Sequence, residues 1–129
     1  MAEGIFKKIV ADKNLKDINV SSAGLFAMTG DEACENAVKA AERFGCDISA
    51  HRARRITSYV LDETDRFVCM TREHAASLAL YVPKEKITVL ASGIPDPFGG
   101  SLETYMICAN SIKTALIEQF EEIVAEVAE

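Results

Sequence analysis

Apolar residues recur along this chain at helical spacing in some stretches and in short continuous runs in others. Ile5, Phe6, Ile9 and Val10 share one face and predict a short helix that begins at the first residues. Ile18-Asn19-Val20-Ser21 alternates apolar and polar positions and predicts a strand ending at Ala23-Gly24. Thr29 and Glu32 have capping-box spacing, opening a helix through Ala33, Ala37, Ala40, Ala41 and Phe44 that Gly45 stops. A short helix is expected around Ser58 to Asp62. Arg66-Phe67-Val68-Cys69-Met70 reads as a buried parallel strand, followed by a helix over Arg72 to Leu80. Pro83 closes that region, and Ile87-Thr88-Val89-Leu90 is the last strand. Ser101 can cap a long final helix, whose stripe of Leu102, Tyr105, Ala109, Ile112, Leu116, Phe120, Ile123 and Val127 is the clearest period in the chain.

Alternating helices and strands predict an α/β fold with a mostly parallel sheet covered on both faces. No repeat, low-complexity tract or linker interrupts it, and 129 residues suit one domain spanning 1–129. The strands end at Ser21, Met70 and Leu90. Ligands of such sheets bind at the carboxyl ends of strands, which puts Ser22-Ala23-Gly24, Thr71 and Asp96 on one edge.

Composition narrows the function further. No apolar run is long enough to span a membrane and no signal-peptide pattern opens the chain, so a cytoplasmic protein is expected. Cys34, Cys46, Cys69 and Cys108 form neither a C-x-x-C pair nor metal-ligand spacing with histidine. No metal or cofactor is expected, and the thiols read as reduced and mostly buried. The net charge of −6 argues against nucleic acid or anionic membrane as a partner. Arg52, Arg54 and Arg55 are a local basic exception that reads as a solvated turn.

Candidate chemistry concentrates in Ile94-Pro95-Asp96-Pro97-Phe98-Gly99-Gly100-Ser101. Pro97 biases Asp96 away from helical dihedrals, and the glycines let the loop adapt. Asp96 can serve as a general acid, or simply hydrogen-bond its own turn. Phe98 can wall a cleft, or plug the loop onto the core. Cys46-Asp47-Ile48-Ser49-Ala50-His51-Arg52 satisfies C-x5-R by counting. However, it has no internal glycine, follows a helix rather than a strand, and sets Asp47 beside the thiol. A phosphate-cradling loop wants the reverse of each. His74 is expected at a helix surface, and Glu121, Glu122, Glu126 and Glu129 form an acidic outer face.

Taken in order, Met1-Ala2-Glu3, Ser22-Ala23-Gly24, Gly45-Cys46-Asp47-Ile48-Ser49-Ala50-His51-Arg52-Ala53-Arg54, Cys69-Met70-Thr71 and Asp96-Pro97-Phe98-Gly99-Gly100 resemble the low-molecular-weight protein phosphatases. The resemblance covers essentially the whole chain. It implies a Rossmann-like three-layer sandwich that acts on phosphotyrosine or phosphoarginine in proteins through a phosphocysteine. It also implies Asp96 as the general acid, Phe98 as a substrate-binding wall and His51 as structural support for the phosphate loop. In that family a first strand and a C-x5-R loop precede the helix that starts M-A-E, and here the chain opens at Met1. The first strand is therefore expected to be absent and the chain inactive as written. The alternatives are a non-catalytic binding module or relic on the same fold, and, further off, an arsenate reductase. The family's first strand lies between Ile18–Ser21 and Arg66–Met70, so open sheet edges and self-association are expected.

Overall fold

The computed structural model describes residues 1–24 and 29–124. Helix α1 (Ala2–Asp12) buries the predicted stripe of Ile5, Phe6, Ile9 and Val10. It ends where Asn14 turns left-handed (φ 57°), a conformation that asparagine tolerates. Helix α2 (Glu35–Arg43) inserts Ala37, Ala40 and Ala41, small residues that let it approach α5 (Leu102–Glu118) closely. Thr57, Thr71 and Ser101 cap α3 (Ser58–Glu63), α4 (Arg72–Leu78) and α5, each hydroxyl accepting a first-turn amide. Helix α6 (Phe120–Val124) follows α5 after a break at Gln119.

Strands β1 (Phe67–Cys69) and β2 (Ile87–Val89) pair in parallel, with Phe67 beside Ile87 and Cys69 beside Val89. Side chains alternate across β1. Phe67 and Cys69 meet Leu78 of α4, while Val68 and Met70 pack against the larger core of α1, α2, α5 and α6. Helices thus cover both faces, giving the three layers of the expected α/β fold. Ile5, Leu90 and Leu116 are almost completely buried in the larger core, and each such side chain contributes about 1.5–3 kcal/mol relative to exposure.

Four expectations need correction. Ile18–Ser21 forms no ladder with any described residue, and among the described residues the sheet has two strands rather than three. A groove of about 620 Å³ separates this segment from β1, lined by Phe6, Ile18, Val20, Val68, Met70 and Leu116. Without an adjacent strand an alternating pattern has no backbone partners, so its apolar side chains pack but its backbone does not pair. Second, Thr29 and Glu32 do not open α2, whose N-cap is Cys34. Glu32 instead bridges Arg52 in antiparallel fashion and forms an ion pair with it at 3.3 Å, a tertiary contact that overrides the local cap. Third, the final helical stripe is split at Gln119, whose side chain is engaged elsewhere. Fourth, α4 stops at Leu78, before the expected Leu80, which is exposed. Val127, Glu126 and Glu129 lie outside the described residues.

Candidate functional site

Two clusters lie near the first turns of α1 and α5. The first centres on Glu3. Its Oε1 accepts from Ser22 Oγ at 2.9 Å, and its Oε2 accepts from Lys7 Nζ at 3.1 Å. His51 Nδ1 stands 3.5 Å from the same Oε2. Burial pushes the Glu3 carboxyl up, but the Ser22 hydrogen bond and Lys7 outweigh it and hold it below the ordinary glutamate value. Arg54 ties the neighbouring segment in place, donating to Ser22 O at 2.8 Å and Ser21 Oγ at 2.7 Å. These residues line a polar pocket of about 480 Å³ with Arg52 and Asp47. Every cation lining that pocket already has a partner: Arg52 bonds Ser49 O and His51 O as well as Glu32.

The second cluster is the loop Ile94–Gly100. Asp96 is exposed, and its Oδ1 accepts from Phe98 N–H at 3.0 Å, the self-capping turn that Asp-Pro sequences form. Phe98 is 88% exposed at the tip, so it does not plug onto the core. Beneath the loop, Tyr105 is hydrogen-bonded to Cys34, buried, and near the charge of Asp96. Together these push its hydroxyl up to about 12. Asn36 Nδ2 donates to Gly100 O at 3.1 Å and links the loop to α2. Gly100 has no room for a side chain, since a Cβ there would lie 2.8 Å from Pro97 O.

The structure brings Asp96 and Phe98 together on one loop and sets His51 in the separate Glu3 pocket. Arg55 pairs its backbone with Gly24 in a parallel bridge. His74 is exposed on α4. Cys46 is buried, and burial raises its thiol pKa. Asp47, expected to be the cause, is turned away: its Oδ1 accepts from Ser49 N at 2.9 Å and Ser49 Oγ at 2.6 Å. Cys69 and Cys108 are also buried with raised pKa, whereas Cys34 is exposed. Glu3 was not legible as a site residue in the sequence, because a glutamate in a first helical turn is ordinary helix chemistry. Its one visible signal is the M-A-E opening.

Comparison with known proteins places the whole chain. The family model described as low molecular weight phosphotyrosine protein phosphatase matches residues 1–129. A protein-arginine-phosphatase of Bacillus subtilis (strain 168) is 31% identical over 81% of this chain and 75% of its own length. A crystal structure of a low molecular weight protein tyrosine phosphatase from T. tengcongensis superposes with a TM-score of 0.84 at 32% identity, covering 94% of this chain and 88% of that one. The YwlE arginine phosphatase, solved as a cysteine-to-serine mutant with a phosphorylated active-site serine, gives a TM-score of 0.84 at 26% identity. There the match covers 97% of this chain and 86% of the other.

Proposed function

This chain belongs to the low molecular weight phosphotyrosine protein phosphatase family, and from that premise we propose that residues 1–129 form one phosphatase-like domain directed at phosphorylated protein side chains. The observation that carries the reading is the Asp96 loop, an exposed carboxyl held between β2 and α5. Asp96 serves as the general acid that protonates the leaving atom as the phosphoryl group departs. Phe98, free at the tip, contacts the substrate side chain. His51 supports the site through Glu3, and thereby Ser22. Relatives named for tyrosine and for arginine both match, so both phosphorylated side chains belong to the substrate class. Unpaired cysteines suit a reducing compartment such as the cytoplasm.

The phosphorylated serine of the arginine phosphatase marks a covalent route in that protein. The same route here needs a thiolate in an anion cradle. Among the four cysteines only Cys46 has an arginine at C-x5-R spacing, and its thiol is buried with a raised pKa. We therefore propose that residues 1–129 by themselves carry the acid without the nucleophile. The groove beside β1 favours a second property, association with another copy through the open strand edge.

The test uses p-nitrophenyl phosphate. The 129-residue chain is expected to show no turnover above background, and turnover abolished by Cys46→Ser would overturn the reading. In a version extended before Met1 by a strand and a C-x5-R loop, Asp96→Asn is expected to lower kcat about 10²–10³-fold. A loss smaller than about threefold, far below a proton donor's share, would remove Asp96 from the mechanism.

A further inference from the structure

Between β2 and the Asp96 loop the chain reverses in a way its sequence does not favour. Ala91 (φ 48°), Ser92 (φ 62°) and Gly93 (φ 122°) are three successive residues with positive φ. Only the last is glycine. For the other two, Cβ crowds the following carbonyl, so the conformation persists only where neighbours over-determine it. Gln119, at the end of α5, is such a neighbour. Its Oε1 accepts from Ala91 N–H at 2.8 Å, and its Nε2 donates to Val89 O at 3.1 Å. One side-chain amide therefore grips the backbone on both sides of the fully buried Leu90.

The consequence reaches the loop. The register pairs Cys69 with Val89, so a continued ladder would set Leu90 beside Met70. Instead the carbonyl of Met70 accepts from Ile94 N–H at 2.6 Å, and Ala91–Gly93 are looped out. Ile94 is buried and fixes the point of departure. Asp96 follows two residues later. At the other end of the loop, Asn36 holds Gly100 O and Ser101 caps α5.

We propose that Gln119 is a positioning residue, whose side-chain amide holds the left-handed Ala91–Gly93 turn and thereby sets where the Asp96 loop leaves the sheet. The catalytic consequence rests on the acid role proposed for Asp96, but the grip itself does not, and the two fail separately. Loss of the acid role shows in the turnover of Asp96→Asn. Loss of the grip shows in backbone hydrogen exchange of the 129-residue chain.

In Gln119→Ala, the Ile94 amide is expected to exchange about 5–30-fold faster, the size of one or two lost hydrogen bonds. Adding Ala91→Gly and Ser92→Gly to Gln119→Ala is expected to restore slow exchange at Ile94, because glycine adopts positive φ without the steric cost. A residue that merely packs the end of α5 would not be rescued by a glycine pair that begins 28 positions away. If Gln119→Ala does not fold, Gln119→Glu keeps the acceptor for Ala91 and removes the donor to Val89, and the same rescue is scored. Unchanged exchange at Ile94, or failure of the glycine pair to restore it, overturns the proposal.

Discussion

Glu3 shows how one side chain changes meaning between sequence and structure. In the sequence it sits in a first helical turn, where a carboxylate suits the helix dipole. In the fold it collects Ser22, Lys7 and His51 from three separate stretches. Its carboxyl is held below the ordinary value, so the folded state favours the ionised form. That stabilisation is fully present above the unfolded value, near pH 4.3, and fades as pH falls through the depressed folded one. Glu3→Gln is therefore expected to cost about 1 kcal/mol at neutral pH, allowing for solvent screening of a partly exposed group. The gap between mutant and wild type narrows as pH drops below about 4. Urea denaturation of both proteins at pH 7 and pH 3 checks it; a gap that is constant or widens towards acid would show that the network does not hold the charge. Tyr105 illustrates the opposite direction, since its contact with Cys34, its burial and the charge of Asp96 all keep it neutral. Spacing alone gives the Glu3–Lys7 pair, four residues apart on α1, but the contacts with Ser22 and Cys34 depend on residues distant in the chain.

At the level of elements, helices were legible where a stripe and a cap agree. α5 has both: Ser101 accepts from Thr104 N–H at 3.2 Å, and Tyr105, Ile112 and Leu116 are buried as the period requires. Ser101→Ala is expected to lower stability by about 1 kcal/mol. Gly100→Ala is expected to cost more, because its Cβ would meet both Pro97 O and the Thr104 side chain at under 3 Å. Thermal or urea unfolding of the two variants orders these effects, and a Gly100→Ala protein as stable as wild type would mean that the loop can shift. The capping box at Thr29 and Glu32 misled because an equally good partner for Glu32, Arg52, lies across the fold. Local propensity is a weak prior against such a contact.

For the whole molecule, the decisive feature is the groove between residues 17–24 and β1. β1 pairs with β2 along one edge, and no described residue pairs with the other. Unpaired buried backbone groups cost about 1–3 kcal/mol each, a large share of a typical total of roughly 5–15 kcal/mol. The 129-residue chain is therefore expected to be marginally stable and to gain mass with concentration in sedimentation experiments. A strictly monomeric sample with one sharp melt above about 65 °C, beyond the usual mesophile range, would show that two strands suffice.

Periodicity and short motifs in order were enough for the existence of the helices, the two parallel strands, the α/β class and the family, though not for the start of α2, the end of α4 or the break at Gln119. The sequence also placed Asp96 and Phe98 on one loop, since neighbours in sequence stay neighbours in space. Packing between distant segments settled what remained. It left Ile18–Ser21 without a ladder among the described residues, because strand pairing is a property of two segments and no pattern in one can supply its partner. It made Glu3 the hub of a polar pocket and freed Phe98 from the core. It also used Gln119 to hold a left-handed turn that Ala91 and Ser92 would not adopt alone. Hydrogen bonds between distant residues have no period, so no reading along the chain could have revealed them.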